Sequence, residues 1–259
     1  MAQAAIVGIV LVRNEDLHVE RAVRNAARFC DRMILCDNGS RDGTPDILRG
    51  LVSESPRVSF HALSHPRESH ELIKPFCGTN TWVFGVDGDE IYDPAGLAGL
   101  RERILGGDFD RVWRVKGNVL HVTELGNSFA RGHAAPPSRS ITKLYNFAAI
   151  RAWDGNTVER LHGGRIDFAE SWNDAMKRNL QDEVAWDDSP LRCLHLCFLP
   201  RSSRDRVSAG ARANIMETYG AGWRGWVARL LGGSPAARWK HEHYRRGPEV
   251  RVDTRAFFT

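Results

Sequence analysis

At 259 residues, 42% hydrophobic and 26% charged, the chain can build a full core, expected as one domain with an irregular C-terminal extension. Its 36 basic and 32 acidic side chains leave a net charge of +4, and no Lys/Arg run with interleaved aromatics points to nucleic acid. Five cysteines, an odd number with Cys30, Cys36 and Cys197 inside apolar segments, suit a reducing compartment better than a disulfide framework. The N-terminus lacks a positive region, and no segment approaches twenty apolar residues, so the expectation is a soluble, cytoplasmic protein.

Ala5–Val12 is a continuous apolar run, as a strand buried on both faces requires, and it ends in Arg13-Asn14-Glu15. Leu17, Val19, Ala22, Val23, Ala26 and Phe29 follow near helical spacing and predict an amphipathic helix over 17–29. Met33–Cys36 is a second short strand, closing in a turn from Asp37 to Thr44. Asp42 shapes that turn and Gly39 and Gly43 allow its backbone angles. Thr44 before Pro45 reads as an N-cap and first helical residue, with Ile47, Leu48 and Leu51 as the helix's apolar face. Val58-Ser59-Phe60 is a third strand. The apolar run from Trp82 is a fourth, and it stops in Asp87-Gly88-Asp89-Glu90. Pro94 opens a helix carrying Leu97, Leu100, Ile104 and Leu105. Arg111–Lys116 and Asn118–Val122 are strand-like, 126–140 is a loop rich in Gly, Pro, Ser and Arg, and 170–186 and 202–219 have helical patterns. In the apparent strand 191–198, alternation puts Cys193, His195 and Cys197 on one face.

The β-α-β-α order predicts a right-handed, doubly wound α/β fold with a mostly parallel central sheet flanked by helices. Ligands bind such sheets outside the carboxyl ends of the strands, where Arg13/Glu15, Asp37/Asp42 and Asp87/Asp89 would share one crevice. Close carboxylates raise one another's pKa and destabilise a fold unless a cation neutralises them. Oxygen ligands on a short turn suit Mg²⁺ or Mn²⁺ and hence a phosphorylated substrate. A solvated acidic turn is the plainer alternative.

Val-Arg-Asn-Glu after the first strand, Cys-Asp-Asn-Gly-Ser-Arg-Asp-Gly-Thr after the second and Trp-Val-Phe-Gly-Val-Asp-Gly-Asp-Glu after the fourth resemble the family 2 glycosyltransferases of GT-A fold. Lys143–Asn146 through Gly155–Leu161 is similar to that family's strand, turn and Val-His-Glu segment, and Leu194-His195-Leu196 to its late histidine. The resemblance covers roughly residues 5–215, with one departure: Val158-Glu159 stands where the family has His-Glu. It implies an inverting transfer of sugar from a nucleoside-diphosphate sugar to an acceptor hydroxyl, on a catalytic domain of residues 1–219. The mildly basic charge agrees with a diphosphate donor.

Such an enzyme must hold a nucleotide, neutralise a departing diphosphate and deprotonate the acceptor. The resemblance assigns nucleotide contacts to Val12, Arg13, Glu15, Asp37 and Asp87. For Asp37 and Glu15 the alternative is local backbone capping. Gly88 would let the diphosphate approach closely. Asp89 and His195 are the expected metal ligands, the metal stabilising charge on the leaving group; a core histidine between buried cysteines is the alternative for His195. Zinc on Cys193, His195 and Cys197 lacks a fourth ligand and the usual spacing. Glu159 is the expected base, its pKa raised towards neutral by burial, with Asp154, Asp167 and Glu170 as competitors. Its alternative is an ion pair with a neighbouring arginine. The acceptor (a sugar, a lipid-linked or a small molecule) would be chosen by the loop 126–140 acting as a lid.

Residues 220–259 are expected to be a helical extension. Trp223, Trp226, Val227, Leu230 and Leu231 form an apolar stripe that would pack on the domain or in a homodimer, or would bring 223–246 to a membrane surface. Two other function classes compete. A nucleotidyltransferase usually carries a glycine-rich basic loop after its first strand, which Val12-Arg13-Asn14-Glu15 is not; a non-catalytic nucleotide-sugar binding protein would not need the metal motif.

Overall fold

The computed structural model describes residues 4–205, 239 and 242–259. The first half of the chain is β1 (Ala5–Val12), α1 (Val19–Ala27), β2 (Arg32–Asp37), α2 (Thr44–Glu54), β3 (Val58–Ala62), α3 (Glu68–Glu71), β4 (Thr81–Asp87), β5 (Glu90–Tyr92) and α4 (Pro94–Leu105). Then come β6 (Arg114–Lys116), β7 (Asn118–Leu125), β8 (Phe129–Ala135), β9 (Lys143–Asn146), β10 (Ile150–Glu159) and β11 (His162–Phe168). The remainder is β12 (Lys177–Asn179), α5 (Leu180–Glu183), β13 (Arg192–His195) and β14 (Glu249–Asp253).

The central sheet has seven strands in the order β12-β6-β9-β4-β1-β2-β3. β4, β1, β2 and β3 are parallel neighbours, while β9 runs antiparallel to both β4 and β6. The expected α/β architecture with a mostly parallel sheet is therefore present. β1 lies between β2 and β4, so successive crossovers leave it in opposite directions, which opens a crevice at its carboxyl end.

Each face of this sheet is covered differently. Ile6, Val10, Phe84 and Val86 pack with Val19, Ala22, Val23 and Ala26, which recur on one stripe of α1. Leu48 and Leu51 of α2 and Leu97, Leu100 and Ile104 of α4 join that core. Asp93 caps α4 by accepting from the Ala95 N–H at 3.0 Å. On the opposite face Val7, Ile9, Leu11 and Val83 pack under Trp153 and Leu161 of the β10–β11 hairpin. Both ring nitrogens of buried His70, on α3, meet hairpin carbonyls: Nδ1 meets Arg160 O at 2.8 Å and Nε2 meets Trp153 O at 2.9 Å. The hairpin is thereby pinned above the carboxyl ends of β1 and β4.

A second sheet, in the order β14-β8-β7-β13-β5, stands beside the first. The acidic turn at 87–90 is where the chain leaves one sheet for the other, between β4 and β5. β13 runs parallel to β7 and antiparallel to β5, setting His195 opposite His121 on one side and Glu90 on the other.

Several elements differ from expectation. The helix expected over 17–29 spans only Val19–Ala27. Thr44 is the first residue of α2 and not its cap; Asp42 accepts the Thr44 N–H at 3.0 Å, and the Thr44 hydroxyl accepts the Glu15 N–H at 2.8 Å. The loop 126–140 contains β8, which pairs with β7 on one side and β14 on the other. Gly132 makes this possible, because a Cβ there would lie 2.2 Å from the His121 carbonyl. The helix expected over 170–186 is instead a strand and a single helical turn. Ser171 has φ +70°, and the Asn173 side chain accepts the Ala175 N–H at 2.9 Å, a local bond that competes with the helix. Residues 249–253 of the expected extension are an edge strand of the second sheet. The helix expected at 202–219 and the stripe from Trp223 to Leu231 lie outside the described residues. Among the described residues no helix is long and apolar enough to cross a membrane.

Glycine fit gives a test of opposite signs. A Cβ on Gly117 would lie 1.9 Å from the Leu191 carbonyl, so Gly117→Ala must push β13 away from β7, costing about 1–3 kcal/mol. Gly50, in α2, meets nothing within 4 Å, so Gly50→Ala should stabilise by about 0.5–1 kcal/mol. Urea unfolding midpoints should move down for the first and up for the second.

Candidate active site

Strand register brings the sequence motifs together. Asp87 of β4 sits beside Leu11 and Asp37 of β2 beside Val12, both at the end of β1. The crevice there is a cavity of about 710 Å³ between the sheet edge, the β10–β11 hairpin and the second sheet. Val12, Arg13, Glu15, Asp87, Asp89, Glu159 and His195 all line it. Asn14 helps shape its floor: with φ 54°, its N–H donates to Ser40 Oγ (2.8 Å) and its side-chain oxygen accepts from Arg41 N (2.7 Å). Those bonds tie the loop after β1 to the loop after β2.

The buried carboxylates are neutralised by cations of the chain itself. Asp87 pairs with Lys143 at 2.8 Å and with the Arg160 guanidinium, which also lies 3.4 Å from Glu159. Arg201 reaches Asp89 at 2.7 Å and Glu15 at 3.3 Å. The Arg160 side chain is 1% exposed and that of Lys143 8%, whereas Asp87 is 35% exposed, so the cations are buried and the carboxylate opens to the cavity. Burial alone would push Asp87 up, but Arg160 and Lys143 hold it well below the usual carboxylate range. Glu90, behind it, is fully buried and accepts from the Asp87 N–H (3.0 Å) and the Tyr92 hydroxyl (3.1 Å). Burial pushes its carboxyl up to about 8, opposed by Lys143.

His195 lines another part of the cavity, with His121 buried behind it. His121 Nε2 meets the Arg139 carbonyl at 2.9 Å, so that nitrogen carries the proton. Burial and the neighbouring His195 hold His121 well below the ordinary imidazole range, and the neutral ring leaves Nδ1 as an acceptor. His195 Nδ1, 2.9 Å away, is therefore the donor, and in the neutral ring His195 Nε2 carries the lone pair. That lone pair lies 3.6 Å from Asp89 Oδ2. Carboxylate oxygen and imidazole nitrogen are donor types suited to a divalent cation, but this oxygen already meets Arg201 Nη1 at 2.7 Å, so an ion there would have to displace that guanidinium. Tyr244 stacks on His121 with centroids 4.2 Å apart and covers the pair.

His121, His195 and Cys197 bring ligand atoms within 4.8 Å of one another. This differs from the Cys193-His195-Cys197 zinc set that the sequence argued against: β13 ends at His195, and Cys193 belongs to the core cluster. With both nitrogens of His121 engaged, that trio offers an ion less than its composition suggests. His195 lines the cavity while only 7% exposed, beside buried Cys193 and Cys197.

Glu159 stands at the end of β10, 4% exposed, with His162 Nδ1 at 2.9 Å. The expected rise in its pKa does not occur. Burial raises it, but Arg160, His162 and Lys143 outweigh burial and leave it lowered. His162, three positions on, is the histidine beside Glu159. The competing acids lie outside the cavity lining: Asp154 pairs with Lys74, Asp167 with Arg151, and Glu170 is exposed.

Two expected nucleotide contacts are also absent from the lining. Asp37 is 6% exposed and accepts the Ser40 N–H at 3.2 Å, the capping alternative. Gly88 fits tightly against protein: a Cβ would lie 2.8 Å from Val12 Cγ1 and 2.9 Å from Glu15 Cβ, so its small size serves the packing of the acidic turn on β1. Lys143, Arg160, Arg201, His121 and Tyr244 went unassigned from sequence. Lys143 and Arg160 lie inside motifs that pointed to the site, a signal that was there to follow.

The sequence matches no protein-family model and no curated protein. Among solved structures it is similar to a mannosyltransferase of Pyrobaculum calidifontis in complex with GDP-Man and Mn²⁺, at 18% identity and TM-score 0.33 over 48% of this chain. It is also similar to glucosyl-3-phosphoglycerate synthase of Mycobacterium tuberculosis in complex with phosphoglyceric acid, at 22% identity and TM-score 0.31 over 45% of this chain. The chain spans 37% and 44% of those two structures' lengths.

Two variants test the electrostatics. Arg160→Met leaves Asp87, whose side chain is 35% exposed, with Lys143 as its remaining cation and should cost about 1–3 kcal/mol in unfolding free energy. Glu90 keeps its proton in the folded state up to about pH 8 but loses it near 4.5 when unfolded, so the folded chain holds more protons in that window. Stability should therefore fall as pH rises between those values, and Glu90→Gln should flatten the slope in denaturation curves.

Proposed function

We propose that the chain is a glycosyltransferase that moves a sugar from a nucleoside-diphosphate sugar to an acceptor hydroxyl, with inversion and with a divalent ion. The observation that carries this reading is that Asp87, Asp89, His195 and Glu159 line one cavity at the point where β1's neighbours diverge. Asp89 and His195 Nε2 are the residues that would hold the ion. When bound, Mg²⁺ or Mn²⁺ would supply positive charge to the departing diphosphate.

The chain's own residues supply the rest. Val12, Arg13 and Glu15 form the wall against which the nucleoside would lie. Arg201, fixed between Asp89 and Glu15, holds the acidic turn in place and adds positive charge beside the phosphates. Glu159 takes the acceptor proton. Its lowered pKa keeps it ionised at neutral pH, so it accepts the proton late, once bond formation has made the hydroxyl acidic. Arg160 and His162 orient its two oxygens. Direct displacement from the face opposite the leaving group inverts the anomeric centre.

Thermal-shift measurements with UDP, GDP, TDP and CDP, each with Mn²⁺, are the first test, because a ligand of the native state raises the melting temperature. One nucleotide should stabilise the wild type and fail to stabilise Asp89→Ala. Glu159→Gln should keep that stabilisation and lose transfer by about 10²–10⁴-fold. Unimpaired turnover in Asp89→Ala would falsify the metal assignment, and unimpaired turnover in Glu159→Gln would remove the base.

A further inference from the structure

Beyond the inner ring of paired charges the cavity has a second set of cations with a different character. Arg114 and Lys116 lie two apart on β6 and so point to one face of the sheet. That face also carries Lys143 and Tyr145 on β9 and Asp87 on β4, and all of these line the cavity. Arg139, in the segment leading into β9, lines the same wall. β9 separates β6 from β4, so this wall stands two strand spacings, about 10 Å, from the strand that ends in the acidic turn.

The inner cations Lys143, Arg160 and Arg201 each face a carboxylate. Among the described residues none of Arg114, Lys116 and Arg139 has a carboxylate at ion-pair distance. Arg114 Nε is buried without a hydrogen-bond acceptor, its guanidinium 4.8 Å from the centroid of Trp113. Arg139 lies 5.5 Å from the centroid of Trp239. Stacking on indoles fixes each guanidinium while leaving N–H edges to face a ligand. Lys116 is lowered by burial and then by Arg114, Arg139 and Lys177, with only Asp182 acting the other way. Like charges have been gathered here against their mutual repulsion, and an anion would relieve it.

We propose that Arg114, Lys116 and Arg139 form an anion subsite, and that the sugar acceptor carries a phosphate or carboxylate that binds there. The acceptor part rests on reading the cavity as a transfer site; the anion subsite does not. The distance from the acidic turn separates it from the donor's diphosphate. Neutral acceptors would leave the three cations uncompensated, and charged ones would be selected by that cost.

Calorimetric titration of the full chain with inorganic phosphate at low salt, with acetate alongside to tell phosphate from carboxylate, tests the subsite. Arg139→Gln alters the most exposed of the three side chains and is the variant that spares the fold. It should weaken phosphate binding about 5-fold, and Arg114→Gln with Lys116→Gln and Arg139→Gln together more than 10-fold. Mn²⁺-dependent nucleotide binding should be unchanged in both variants. Phosphate affinity equal to wild type in both would overturn the subsite, and a parallel loss of nucleotide affinity would reassign the wall to the donor. If no nucleotide binds the wild type, the transferase reading fails while the phosphate titration still decides the subsite. In transfer assays glucose 6-phosphate should outcompete glucose as acceptor or inhibitor in the wild type and lose that advantage in the triple variant; no preference in the wild type would overturn the acceptor assignment.

Discussion

The structure depends on one electrostatic constraint: carboxylates gathered at strand ends, out of water, must each meet positive charge. Asp87 meets it through Lys143 and Arg160, Asp89 and Glu15 through Arg201. Charges taken into a medium of low dielectric are tolerated only when paired and hydrogen-bonded. These three cations come from β9, from the turn of the β10–β11 hairpin and from the segment after β13, so each ion pair is also a tether. Neutralisation and assembly of the cavity are a single event.

That constraint revises the chemistry inferred from residue types alone. A cluster of acids suggested that an external cation was needed for the fold to stand. With the chain's own cations in place, folding of the acidic turn does not call for an external one. Glu159 shows the same shift. Burial alone would raise it, yet a guanidinium and an imidazole lower it, so the site holds an ionised carboxylate ready to accept a proton. Arg114, Lys116 and Arg139 on the outer wall, with no carboxylate at ion-pair distance among the described residues, stand apart from this scheme.

What could be read from sequence follows the physics of burial. β1, β2 and β4 are covered on both faces, so they appear as continuous apolar runs, and α1 and α4 appear through their stripes. β8 was read as a loop because its flanks are rich in Gly and Pro and its burial alternates weakly. Residues 170–186 carry apolar spacing that suits a helix, but the Asn173 side chain bonds locally and Ser171 takes φ +70°, and these break it. The cationic partners were hidden because ion pairs leave no local trace: Lys143 lies 56 positions from Asp87, and Arg201 lies 112 from Asp89. His121 was hidden likewise, 74 positions from His195.

The edge strand β14 and the tyrosine ring over His121 carry a kinetic implication. Residues 129–135 must wait for 249–253 to emerge before their outer hydrogen-bonding groups are satisfied. A nascent chain could complete its parallel sheet on the ribosome and still lack the roof of its cavity. Pairing across so many intervening residues is intrinsically slow. Occupancy by ligand should therefore be a late acquisition, arriving only after synthesis has passed the final strand.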